Sequence, residues 1–199
     1  PISSITIYPF GLCAQIDYIG MGRIWQELLI ILVGPLTHLV IPYLLQLFCD
    51  MDLISVSYME YLCALNTSIL TFNLLPVFPL DGGRLMQACY HLLFRYTMAQ
   101  RLTYISSMFH LFLLLYYRIL NTYSAWLVMS FLLFQILFSW RQLACERMAF
   151  YHYRKVHPAK GMLRSNKSSD LYRAFTNMIQ TKRGWMLEED WLHVYIQEP

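Results

Sequence analysis

The chain has 199 residues, of which 57% are hydrophobic, 16% are aromatic and only 14% are charged, and its formal net charge is +3. This length allows one domain with a small second one, and the composition is too apolar for an ordinary soluble domain. The composition therefore favours an integral membrane protein.

The first 23 residues show the alternating pattern of a β-hairpin. Ile5 and Ile7 alternate with polar residues, and a second alternating stretch follows at residues 14–18. Residues 9–11, Pro-Phe-Gly, interrupt the pattern between the two stretches, as expected of a turn. An open strand edge is costly in lipid unless a partner pairs with it. We predict a membrane-associated β-hairpin segment over residues 1–23.

Four stretches without Asp, Glu, Lys or Arg follow the hairpin. Their lengths, 16 to 21 residues, are close to the ~20 that a helix needs to cross the hydrocarbon core. The alternative is a soluble helical protein with buried core helices, but four such stretches are hard to bury outside lipid. The sequence therefore predicts a polytopic, all-α membrane protein with four transmembrane helices in a core over residues 24–140. The stretches are residues 28–48, 61–80, 102–117 and 123–140.

The second uncharged stretch ends in residues 73–83, NLLPVFPLDGG, which include an aspartate, two prolines and two glycines. Proline removes a backbone donor and collides with the preceding turn, so Pro76 and Pro79 predict an unwound segment. The two glycines allow close backbone approach directly after Asp81. An aspartate at membrane depth is a candidate functional residue by default. The alternative is an aspartate at a helix end that reaches water and caps the next helix.

Residues 141–199 resemble part of a small soluble domain. Basic residues directly follow the last uncharged stretch, and the hydrophobic side chains of residues 170–181 recur at helical spacing. Residues 191–196 are compatible with a strand. We predict a cytoplasmic linker followed by part of a small α/β domain.

The distribution of positive charge predicts the orientation in the membrane. Of the 15 Lys and Arg residues, ten lie after residue 140 and only Arg118 lies in a loop on the opposite side. Lys and Arg accumulate in cytoplasmic loops. The C-terminus and Asp81 are therefore expected on the cytoplasmic side, and the loop at residues 50–52 outside.

The string NLLPVFPLDGG resembles the NxxPxxPLDGG signature of the site-2 protease family of intramembrane zinc metalloproteases. Two further similarities occur in the family order: residues 34–38, GPLTH, resemble its GP-containing helix, and residues 9–11 resemble its hairpin. The overall arrangement is most similar to the sporulation branch of the family. That resemblance implies six spans in the full protein and a CBS-like regulatory tail, of which residues 141–199 would be a part.

The resemblance implies that Asp81 is the third zinc ligand and that Asn73, Pro76 and Pro79 contribute to substrate binding. The other two ligands and the catalytic glutamate would belong to an HExxH helix. No HExxH occurs in these 199 residues. In the family order it precedes the hairpin, so we expect it upstream of Pro1 and expect no catalytic residue in this chain. His38 is interpreted as a hydrogen-bonded interior histidine rather than a ligand.

The implied function is regulated intramembrane proteolysis of a membrane-associated protein, a pro-sigma factor during sporulation. We expect the partners to be the lipid bilayer, a protein substrate and regulatory membrane proteins, and no nucleic acid; the oligomeric state stays open. A non-catalytic scaffold or binding relative of the same family is an alternative. A transporter with broken helices is a further one, but it would show paired interrupted spans in two halves, and one interrupted span is found.

Overall fold

The computed structural model describes residues 2–8, 11–16, 21–117, 122–159, 161–182 and 184–197, and before residue 21 it describes the backbone alone. The described part is mostly helical, as predicted. Its elements are β1 (Ile2–Tyr8), β2 (Gly11–Ile16), α1 (Ile24–Asp50), α2 (Val56–Asn73), α3 (Asp81–Leu93), α4 (Tyr96–Tyr116), α5 (Tyr123–Val156), β3 (Leu163–Asn166), β4 (Thr176–Thr181), β5 (Gly184–Leu187) and α6 (Glu188–Gln197).

The two N-terminal strands pair with each other. β1 and β2 are antiparallel, and their register runs from the pair Tyr8–Gly11 to the pair Ile2–Ile16. The predicted hairpin is therefore present. Pro9 and Phe10, on which the turn prediction also depended, lie outside the described residues. The association of this hairpin with a membrane stays a prediction.

Four long helices lie on the four uncharged stretches, but not all four have the composition of a membrane span. Among the described residues, α1 (27 residues) and α5 (34 residues) are long and apolar enough to cross a membrane. The prediction of four spans is therefore supported at two helices and not at α2 and α4. The physical reason is that α2 and α4 carry hydroxyl and amide side chains along their length, including Asn66, Thr67 and Ser107.

Helices α1 to α5 pack in neighbouring pairs around the non-helical segment, residues 74–80, that separates α2 from α3 and is called the break below. Helix α1 packs against α2 and α3, and α4 packs against α3 and α5. A buried apolar cluster fills the space between the break, α4 and α5. Its members are Val77, Tyr104, Leu111, Met129, Leu132 and Ile136.

The tail is a small α/β unit, as predicted, but its elements differ from the predicted ones. The sheet has the order β3-β4-β5, with β3 parallel and β5 antiparallel to β4. The helix predicted over residues 170–181 is wrong, because β4 occupies its second half. The Asn177 side chain accepts from the Tyr172 amide (2.8 Å) and donates to the Tyr172 carbonyl (2.9 Å), which competes with helical hydrogen bonding. The strand predicted over residues 191–196 is also wrong, because α6 includes them.

Buried polar contacts hold the tail against the ends of the helices. The Arg154 guanidinium at the end of α5 binds both carboxylate oxygens of Glu188, at 2.5 and 3.1 Å. Arg173 forms an ion pair with Glu27 at the start of α1. Helix α5 itself continues without a break through residue 140 to Val156. Buried ion pairs therefore join the tail to the end of α5 and to the start of α1.

Candidate functional site

The centre of the site is a break between α2 and α3. Helix α2 ends at Asn73, residues 74–80 are not helical, and α3 begins at Asp81. Within the break, the Val77 side chain is completely buried. The Phe78 amide donates to Ser107 Oγ of α4 at 2.9 Å, so a neighbouring helix satisfies a backbone group that the break releases. The unwinding predicted from the two prolines is thus present.

The two glycines after Asp81 allow the first turn of α3 to contact the backbone of the break. A Cβ placed on Gly82 would lie 2.6 Å from the Leu75 carbonyl oxygen, and one on Gly83 would lie 2.5 Å from the Val77 carbonyl oxygen. Cβ atoms do not approach backbone oxygen so closely. Both glycines are helical, so the sequence requires them for space and not for an unusual φ angle.

Asp81 is the first residue of α3 and is half-buried. Its Oδ2 lies 3.3 Å from the position that a Cβ on Gly34 would occupy, so its carboxylate faces α1 at a residue without a side chain. The N-cap of α3 is Leu80, and the structure shows no side-chain capping bond there. Asp81 itself makes no capping hydrogen bond among the described residues, but its place in the first turn of α3 suits the helix dipole, so the alternative of a helix-end aspartate stays open.

His38 is hydrogen-bonded, as the sequence analysis favoured. Its Nδ1 lies 2.6 Å from Asn66 Oδ1, and Asn66 Nδ2 lies 2.9 Å from the His38 carbonyl oxygen. Asn66 is buried on α2, seven residues before Asn73 and hence on the same face of that helix.

Of the three residues predicted to bind substrate, one lies directly before the break and two lie within it. Asn73 is the last residue of α2, and Pro76 and Pro79 flank the buried Val77 within the non-helical segment. All three are half-buried. They thus lie within the eight residues that precede Asp81, and their role in substrate binding stays a prediction.

The donor set for zinc is incomplete in the described part of the chain. Asp81 fits as one ligand, because its carboxylate has no hydrogen bond or ion pair among the described residues and faces the open position at Gly34. No group of three His, Cys, Asp or Glu side chains occurs within that part of the chain. Within the described residues, Asp81 is therefore one candidate ligand.

A buried histidine lies near the tail, away from Asp81. His91 of α3 is completely buried, and within the described residues neither of its ring nitrogens has a hydrogen-bond partner. Its ring lies against Tyr96, with 5.2 Å between the ring centroids. Burial, with the nearby positive charge of Arg173, lowers the pKa of His91 from 6.5 to about 3. His91 is therefore uncharged at neutral pH.

Three residues of the site escaped the sequence analysis: Asn66, Ser107 and Gly34 in its role opposite Asp81. The sequence could have indicated Asn66, because this amide lies seven residues before Asn73 in an uncharged stretch and therefore on the same face of the helix. Ser107 and Gly34 act across helices that are distant in sequence. Nothing in their local pattern indicates the partner.

Comparison with known proteins agrees with the resemblance read from the sequence. Residues 50–117 match Peptidase family M50. The chain is 28% identical over 144 residues to stage IV sporulation protein FB of Bacillus subtilis (strain 168), covering 71% of this chain and 50% of that protein. It is 34% identical over 90 residues to zinc metalloprotease MJ0392 of Methanocaldococcus jannaschii, covering 44% of this chain and 26% of that protein. The chain thus spans about half and about a quarter of these two relatives. The predicted resemblance to the site-2 protease family is confirmed.

Proposed function

We propose, on the premise that residues 50–117 carry a Peptidase family M50 segment, that this chain is the membrane part of a site-2-type zinc metalloprotease in which Asp81 is a zinc ligand. The observation that carries the proposal is the Asp81 carboxylate, which faces Gly34 at the break without a described partner. The other ligands and the catalytic glutamate would come from sequence outside these 199 residues.

The break fits the demands of peptide-bond hydrolysis at membrane depth. Zinc with two imidazole ligands and one carboxylate ligand keeps a coordination position open for water. A helical substrate has to unwind before its peptide bond is accessible, and irregular backbone at membrane depth is tolerated where it lines a cavity. Residues 74–80 and the edge of the hairpin offer backbone groups with which an extended substrate can pair by strand addition.

The surfaces of α2 and α4 support their assignment as further membrane spans. Large apolar side chains are exposed on both, for example Tyr61 and Ile69 on α2 and Phe112 on α4. The hydroxyls of Thr67 and Ser107 donate to backbone carbonyls four residues earlier, at 2.9 and 2.7 Å. Polar side chains satisfied in this way are tolerated in lipid. The proposal therefore includes four spans, and the distribution of Lys and Arg adds a cytoplasmic C-terminus.

The proposed substrate is a membrane-associated protein, and its cleavage is regulated by other membrane proteins. The similarity to stage IV sporulation protein FB supports a role in sporulation, and we propose a pro-sigma factor as the substrate.

The variant Asp81→Asn in the full-length protein tests the function. Asparagine preserves size and removes the anionic oxygen, so we expect normal protein level, reduced bound zinc and cleavage lowered by a factor of 100 or more, on the order of 3 kcal/mol in the barrier. The measurements are zinc content by atomic spectroscopy and cleavage of a co-expressed substrate.

The matched control for this test is Asp52→Asn, which changes an exposed aspartate in the loop between α1 and α2. It should keep both zinc and cleavage. Near-normal cleavage in Asp81→Asn would contradict the proposal and favour a non-catalytic scaffold.

A further inference from the structure

Pro42 leaves one carbonyl of α1 without its helical donor. In an α-helix the carbonyl of residue 38 accepts from the amide of residue 42, and proline has no amide hydrogen. The Asn66 side chain supplies the missing donor, because its Nδ2 lies 2.9 Å from the His38 carbonyl oxygen. Helix α2 thus satisfies a backbone group that α1 cannot satisfy by itself.

The same contact fixes the hydrogen atoms of the pair. A carbonyl oxygen can only accept, so the Asn66 atom facing it is the amide nitrogen, and Oδ1 faces His38 Nδ1 at 2.6 Å. Oδ1 can also only accept, so Nδ1 carries a proton and, in the neutral ring, Nε2 carries the lone pair. The direction of both hydrogen bonds is therefore fixed. Together they hold α1 and α2 in a single position along each other's axes.

The pair lies one helical turn from the contact between Asp81 and α1. Gly34 precedes His38 by four residues, so the two share a face of α1. Asn66 lies seven residues, roughly 10 Å of helix, before the end of α2. Asp81 Oδ2 faces Gly34 and lies 3.3 Å from the position that a Cβ on this glycine would occupy. The His38–Asn66 pair therefore fixes the distance between α1 and α2 about one helical turn from the place where α1 faces the Asp81 carboxylate.

We propose that His38 and Asn66 are a positioning pair for Asp81: their two hydrogen bonds hold the Gly34 face of α1 against the Asp81 carboxylate and thereby restrict its orientation. This inference rests on the proposed function where it concerns zinc, but the helix contact itself does not. A pair that merely adds stability would leave the surroundings of residue 81 unchanged once the protein has folded.

The test measures access to residue 81 without zinc or activity. The full-length protein carries Asp81→Cys with its native cysteines replaced by alanine, and the rate of labelling by a water-soluble maleimide is followed in membranes. Asn66→Leu, which removes both hydrogen bonds at similar size, should raise that rate several-fold. The control Thr67→Val removes an exposed hydroxyl that bonds only its own helix, and it should leave the rate unchanged.

A second readout is zinc affinity of the protein with Asp81 in place, measured by competition with a chelator. Partners that orient a metal ligand typically contribute 10- to 100-fold in affinity. The pair acts on Asp81 through α1 and not by direct contact, so Asn66→Leu should weaken zinc binding by about tenfold, the lower end of that range. If Asn66→Leu raises the labelling rate but the protein with Asp81 in place binds no zinc, the positioning pair is supported and the proposed function is contradicted.

A third variant covers the case in which Asn66→Leu does not fold. In Pro42→Ala combined with Asn66→Leu, the residue 42 amide satisfies the His38 carbonyl, so folding is protected while the link between the helices is lost. Raised labelling in this variant supports the pair. Unchanged labelling at residue 81 in either folded variant overturns the proposal.

Discussion

At Gly82 and Gly83 the missing side chain matters more than backbone freedom. In an exposed helix Gly→Ala stabilises by roughly 1 kcal/mol, because alanine has the higher helix propensity. At Gly82 the added Cβ would meet backbone of the break, which cannot rotate away. We therefore expect the opposite sign for Gly82→Ala: a loss of about 1–3 kcal/mol in the free energy of unfolding, as for other overpacked sites.

The measurement for Gly82→Ala is denaturant unfolding in detergent, together with cleavage by the full-length protein. Gly22→Ala is the matched control, because a Cβ there lies 3.4 Å from the Tyr153 hydroxyl, an ordinary contact. A Gly82→Ala protein as stable as this control would show that the first turn of α3 is not packed against the break.

His91 predicts a dependence of stability on pH. It lies in α3, between the second and third proposed spans, and its pKa is lowered to about 3 in the folded protein against 6.5 for the unfolded chain. Between these values the unfolded chain binds a proton that the folded protein does not, so the free energy of unfolding falls as the pH decreases. At pH 5.5 the expected loss is about 1.4 kcal/mol.

Unfolding midpoints at pH 7.5 and 5.5 check this expectation. His91→Phe preserves a flat ring against Tyr96 and cannot titrate, so its midpoint should fall less than that of the parent protein over the same interval. Equal shifts in the two proteins would show that other groups cause the pH dependence.

Among the helices, α4 receives its N-terminal cap from the tail. Its own N-cap residue, Arg95, makes no side-chain capping bond. The Asp170 carboxylate instead accepts from the Thr97 amide at 3.1 Å and from the Thr97 hydroxyl at 2.8 Å. A neighbouring bond joins the Tyr96 amide to the Leu171 carbonyl at 2.8 Å. The tail is therefore part of the hydrogen bonding of α4.

Asp170→Ala should weaken the docking of the tail on α4 by about 1 kcal/mol of free energy, which is the typical contribution of a helix cap. Asp170→Asn retains an acceptor and should cost less. The measurement is the rate of limited proteolysis of the tail in membranes, with Asp190→Ala, an exposed carboxylate of α6, as the control. Equal proteolysis of Asp170→Ala and this control would contradict the capping role.

The elements that the sequence predicted correctly are those whose cause is local. Two prolines three residues apart end α2 wherever the segment lies, and alternating side chains predict the strands of the hairpin. The predictions are wrong where residues distant in sequence determine the secondary structure. Residues 170–181 have helical spacing, but Asn177 and the packing of β4 between β3 and β5 override it. The link from Pro42 to Asn66 depends on which helix is adjacent, and no local pattern contains that information.

For the whole molecule, the orientation in the membrane is the property that an experiment decides most directly. Reporters fused after Arg147 should be active only in the cytoplasm, and reporters within residues 50–55 only outside, because 14 of 15 Lys and Arg residues lie on the proposed cytoplasmic side. Alkaline phosphatase and green fluorescent protein fusions, read in the same cells, provide the measurement. The reverse pattern would place Asp81 on the outer face.

Helix α5 has a length that a single crossing does not need. Its 34 residues span about 51 Å, whereas the hydrocarbon core is about 30 Å thick. If the crossing ends near Trp140, some 16 residues, roughly 24 Å, extend beyond it and carry Arg154 near their far end. Because Arg154 binds Glu188, this extension holds the tail at a distance from the proposed membrane surface. A tilt of about 5° would move the far end of α5 by about 2 Å over that length. The Thr97 amide lies 3.1 Å from Asp170 Oδ2, so we expect such a tilt to break the contact of the tail with the start of α4, the helix whose Ser107 bonds the break.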